Sequence, residues 1–123
     1  MTTAVIDASA LLAYLFKEPG SDVVEEALLA GAACSAVNYS EVIQKSRAAG
    51  VDWRTAAAVL DAMGLTVVPA TPADAVAAAE AWRPGSGLSL ADRFCLATAS
   101  RLGVLALTAD RAWGDGEGIR QIR

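Results

Sequence analysis

Short apolar runs alternate along this chain with longer stretches of helical periodicity, and runs that brief and that uniformly apolar read as strands buried on both faces of a sheet. The runs are Thr3 to Asp7, Ala33 to Val37, Leu65 to Val68, Val104 to Leu107 and Ile119 to Ile122, the last placed at an edge. Between them the pattern predicts helices over Ala10–Phe16, Asp22–Ala30, Tyr39–Ala48, Trp53–Met63, Pro72–Trp82 and Leu90–Leu102. Pro19 with Gly20, then Gly31, Gly50 and Gly64, supply the stops. Such alternation implies right-handed crossovers and a three-layer α/β/α sandwich around a central, mainly parallel five-stranded sheet. A chain of 123 residues with 54% apolar and 20% charged side chains, free of repeats and linkers, reads as one domain over residues 1–123.

Four acids, Asp7, Glu41, Asp92 and Asp110, each stand where a strand run ends or a helical run begins, and the chain has no histidine. Without histidine there is no Ser-His or Cys-His pair and no imidazole base. The only cysteines, Cys34 and Cys95, lie in apolar surroundings and read as reduced core residues; two thiols cannot close a zinc site alone. Carboxylate remains, the ligand of hard cations such as Mg²⁺ and Mn²⁺. In parallel sheets the site lies outside the carboxyl ends of the strands, where strand order reverses, and Asp7 and Asp110 both follow strands at that edge.

Each acid also has an ordinary structural explanation. Asn38 with Glu41 and Ser89 with Asp92 fit an N-cap followed three residues later by an acid. Thr71 with Asp74 has the same spacing, with Pro72 at the first helical position, and is assigned to capping alone. Asp110 fits a turn or cap before Arg111. Asp7 is hardest to explain this way, because it closes a strand that should be central and buried, where an unpaired carboxylate costs several kcal/mol. Clustered carboxylates repel and hold protons at raised, coupled pKa values, a repulsion that a divalent cation relieves.

The net charge of −4 looks unsuited to a phosphate-rich partner, but setting those four acids aside leaves acidic and basic residues balanced at 10 each. No run approaches the roughly 18 apolar residues of a membrane span. No Lys or Arg precedes the apolar start, which Asp7 interrupts, so the chain reads as cytoplasmic.

Val5 to Ala13, Asn38 to Val42, Leu88 to Ala99 and Leu107 to Trp113 resemble, in order and spacing, the successive motifs of PIN-domain ribonucleases, specifically VapC-type toxins of type II toxin–antitoxin systems. The resemblance covers almost the whole chain. It implies a sheet ordered 3-2-1-4-5, a Mg²⁺- or Mn²⁺-dependent endoribonuclease, a homodimer, and inhibition by a VapB-like antitoxin. That antitoxin would pack an apolar helix near the N-terminal helices and set a basic side chain against the acids. By position it makes Asp7, Glu41, Asp92 and Asp110 the catalytic and metal-binding quartet. Ser9 and Thr108 become supporting hydroxyls, and Asp115 a further outer ligand. Glu117, in the same Gly-rich loop, reads as solvated. Lys45, Arg47, Arg93 and Arg111 are the candidates for contact with RNA, of which transfer or ribosomal RNA is the implied substrate.

Two other readings fit less well. A phosphoacceptor receiver domain needs adjacent acids after the first strand and a late lysine, whereas Asp7 precedes Ala8 and the lysines are Lys17 and Lys45. A catalytically inactive PIN-like binding module has no need of all four acids.

Overall fold

Five strands, β1 (Ala4–Ile6), β2 (Ala32–Ser35), β3 (Thr66–Val68), β4 (Leu105–Thr108) and β5 (Ile119–Gln121), are interleaved with six helices. These are α1 (Ala8–Leu15), α2 (Ser21–Gly31), α3 (Ala36–Ala48), α4 (Trp53–Ala62), α5 (Pro72–Glu80) and α6 (Leu90–Leu102). A 3-10 turn over Arg111–Trp113 follows β4. This computed structural model describes residues 1–123, and its sheet runs β3-β2-β1-β4-β5 with every neighbouring pair parallel. The expected order is met; the sheet is wholly rather than mainly parallel.

Strand β1 is buried throughout because it has a neighbour on either side, with Ala4 opposite both Ala32 and Leu105 and Ile6 opposite Leu107. Side chains alternate across the sheet. Ala4, Ile6 and Leu107 join Leu11, Val24, Leu28, Val42 and Leu60 of the first four helices on one face. Val5 and Ala106 join Cys95, Ala99 and Trp113 on the other. Strand order reverses at β1 and β4, and the chain leaves both strands in acids: Asp7 after β1 and, past Ala109, Asp110 after β4.

Helix starts differ from the expected ones where a cap was misassigned. Asp7 itself caps α1, which begins at Ala8 rather than Ala10. Ser35, not Asn38, caps α3: its hydroxyl accepts from the Val37 N–H at 3.2 Å, so β2 ends earlier and the helix begins three residues before Tyr39. Gly20, the N-cap of α2, has φ 92°, and an added Cβ there would meet the Ile122 carbonyl just past β5 at 2.7 Å. Only glycine satisfies both demands.

Candidate metal centre

Asp7 is 2% exposed, and three donors converge on its carboxylate. The Ala10 N–H donates to Oδ1 at 2.8 Å, the Ser9 hydroxyl at 2.8 Å, and the Thr108 hydroxyl to Oδ2 at 2.6 Å. The hydroxyl orientations are fixed from behind. Ser9 Oγ accepts from the Ala109 N–H and Thr108 Oγ1 from the Asp110 N–H, each at 3.0 Å, so both hydroxyl protons must turn toward Asp7. The β4 exit loop thus orients the acid at the end of β1. Burial nonetheless prevails over these donors and, with a smaller push from the Asp92 charge, raises the Asp7 carboxyl to about 6.

The other three acids share one arrangement: each gives one oxygen to the protein and keeps the other without a protein donor. Asp92 accepts from the Ser89 N–H at 2.9 Å through Oδ2, completing the capping box of α6. Asp110 accepts from the Ala112 N–H at 2.9 Å through Oδ1, capping the 3-10 turn. Glu41 accepts through Oε1 from the Asn38 side-chain amide at 3.0 Å and caps nothing. Asp74 provides the contrast. Both its oxygens are engaged by Arg101, at 2.8 and 3.0 Å, and Oδ2 also takes the Thr71 N–H, so its role extends beyond capping to an ion pair between a buried carboxylate and an exposed arginine.

Cys95 is buried on α6, one turn beyond Asp92. Burial pushes its thiol well up, and the charges of Asp7, Asp92 and Glu41 push the same way. Cys34, also buried, is raised by burial to about 12; both thiols are free, as expected of core residues. Asp110 is tied to Asp7 through Thr108, whose hydroxyl accepts from the Asp110 N–H and donates to Asp7.

Other predicted residues lie elsewhere or are otherwise engaged. Asp115 and Glu117 are exposed in the loop before β5, with no hydrogen bond to the quartet. Arg93 donates to the Ala78 carbonyl at 2.7 Å and Arg111 to the Arg123 carbonyl at 2.6 Å, which ties both guanidinium groups to the chain itself. Lys45 and Arg47 are exposed on α3 and carry no ion pair. Asn38 was missed as a site residue because its spacing before Glu41 imitates a cap.

The donor set fits a hard divalent cation. It is all oxygen, and Glu41, Asp92 and Asp110 each keep one oxygen free of protein donors. As the side chains stand, no three of these acids are grouped closely enough to hold a metal ion, so an ion here would rest on one or two carboxylates and keep several waters.

A family model for the PIN domain matches residues 4–116. The chain belongs to the PIN-domain family. Among solved structures, this PIN domain is similar to a toxin–antitoxin complex from Klebsiella pneumoniae, with TM-score 0.79, 19% identity and 98% of each chain covered. It is also similar to DNA-bound VapBC from Salmonella typhimurium, with TM-score 0.72, 16% identity and 100% of each chain covered. A Pyrobaculum aerophilum protein aligns with TM-score 0.62 and 24% identity over 98% of this chain and 91% of that one. No curated protein matches. At these identities the likeness establishes the fold. Metal-dependent nuclease chemistry is general to PIN domains, and no helix here is long and apolar enough to cross a membrane.

Proposed function

We propose that this PIN domain is the toxin of a VapBC-type toxin–antitoxin module, a cytoplasmic homodimer and Mg²⁺-dependent endoribonuclease for which Mn²⁺ can substitute. The observation that carries this reading is the buried Asp7 carboxylate, oriented by Ser9 and Thr108, with a donor-free oxygen on each of Glu41, Asp92 and Asp110. Asp7 and Asp92 would hold the principal ion, with Asp110 assisting directly or through water, and Glu41 would hold or orient a second ion and the attacking water. Divalent cations bound by these residues would supply Lewis-acid charge for an in-line displacement. Water adds to phosphorus, the bond to O3′ breaks, and the proton passes to that oxygen, leaving 5′-phosphate and 3′-hydroxyl ends. The substrate is transfer or ribosomal RNA. Asp115 joins as an outer ligand only if its loop folds toward the acids.

Brief expression followed by mapping of new 5′-phosphate ends tests the reading. One recurring cut in transfer or ribosomal RNA, absent with Asp92→Asn, is expected. An unaltered pattern of ends, or new ends bearing 5′-hydroxyl, contradicts it.

The antitoxin has a matching surface. Leu15 and Val59 line two adjoining hollows beside α1, α2 and α4, where Phe16 is 41%, Val59 40% and Val51 36% exposed. An amphipathic helix of the antitoxin buries its apolar stripe there. Val59→Asp, at a half-exposed helix position, is expected to leave folding and RNA cleavage intact while the antitoxin encoded beside the gene no longer co-purifies. Undiminished co-purification contradicts this docking site.

A further inference from the structure

Asn38 is fully buried, and its side-chain amide nitrogen makes two contacts, to Glu41 Oε1 at 3.0 Å and to the Ala91 carbonyl at 3.1 Å. The orientation of that amide is not arbitrary. Both partners are acceptors, so only the nitrogen can face them. Ala91 directly precedes Asp92, so one NH₂ group ties a carboxylate on α3 to the first turn of α6. A purely structural tie explains the arrangement poorly. A helical carbonyl such as that of Ala91 already accepts from the N–H four residues on, so it does not need Asn38. The Asn38 carbonyl oxygen, meanwhile, is buried without a protein hydrogen-bond partner, so the side chain's contacts to the protein all run through its nitrogen.

We propose that Asn38 is a positioning residue of the metal centre: it holds the Glu41 carboxylate beside Asp92 so that their donor-free oxygens act on the same ions. Glu41 needs such a tether because it alone of the four acids caps no helix or turn. Asp7, Asp92 and Asp110 are each fixed by a backbone N–H at the start of the segment they cap. Glu41 projects from the interior of α3 on a flexible side chain, and the Asn38 amide supplies the constraint that the other three obtain from the backbone.

The inference rests on the metal-centre reading above. The test is a double-mutant cycle in Mn²⁺ affinity, measured calorimetrically on the metal-free wild-type protein, Asn38→Leu, Glu41→Gln and the pair, with thermal unfolding of each. Asn38→Leu keeps a side chain of similar shape and removes the donor. It is expected to weaken Mn²⁺ binding about tenfold or more, the usual consequence of losing a group that orients a metal ligand. In the Glu41→Gln background the same substitution is expected to change affinity less than twofold. Undiminished affinity in Asn38→Leu, or an equal loss whether or not residue 41 is acidic, overturns the positioning role while leaving the metal centre standing. Should Asn38→Leu fail to fold, Asn38→Ser is read in the same cycle with the same two outcomes. A wild-type protein that binds no Mn²⁺ overturns the metal centre and this inference together.

Discussion

Asp7→Asn is expected to abolish RNA cleavage and at the same time stabilise the metal-free protein. Losing a partner that merely orients a metal ligand costs about 10–100-fold, so removing this carboxylate should exceed about a hundredfold. Stability moves the other way because the folded state raises the Asp7 carboxyl from 3.8 to about 6. A carboxyl that binds its proton more tightly when folded favours the folded state below its unfolded pKa, and that contribution is lost as pH rises through about 6. Once ionised, Asp7 therefore burdens the metal-free fold by up to about 3 kcal/mol. Asparagine retains most of the shape without the charge. In urea denaturation, the variant's advantage should be small at pH 4, grow through pH 6 and level off above. Mg²⁺ or Mn²⁺ should stabilise only the wild type. A variant less stable than the wild type at pH 8 without metal would refute this account of Asp7.

Arg101→Met should show the opposite profile, a loss of stability with the site intact. Asp74 is 1% exposed, and Arg101 holds both its oxygens. Without the guanidinium that carboxylate loses its partner, although the exposed Arg101 side chain leaves the pair screened by water. The Arg101 hydrogen bond is the main reason that the Asp74 carboxyl is held below its usual value. Stability from a depressed carboxyl is present above the unfolded pKa and is lost as pH falls through the folded one. The gap between wild type and variant should accordingly be wide at pH 7 and close in acid, with Mn²⁺ affinity unchanged wherever the variant is folded. No measurable gap at pH 7 would mean that the pair contributes nothing beyond an ordinary surface ion pair.

The two acids show where the sequence is informative and where it falls silent. Asp7 was legible because a charge closing a fully apolar strand has few structural excuses, and β1 is indeed buried between two neighbours. The strand order came from the motif resemblance rather than from burial, and the sheet has that order. Asp74 read as a cap and is one, but its partner lies 27 residues away, and long-range pairing leaves no local mark. The start of α3 was ambiguous because Ser35 and Asn38 are both good caps, and only the backbone decides between them. Choosing Asn38 assigned Glu41 a capping role it lacks and hid the amide that holds it. Arg93 and Arg111 looked available for RNA, yet a sequence does not reveal that a guanidinium is bound to a carbonyl of its own fold.

Cleavage of purified transfer and ribosomal RNA by the purified chain tests whether these carboxylates form a metal-dependent ribonuclease. Cleavage should require added Mg²⁺ or Mn²⁺, stop with EDTA, return when the cation is restored, and be lost in Asp92→Asn. Cleavage that persists through EDTA and through Asp92→Asn would contradict it.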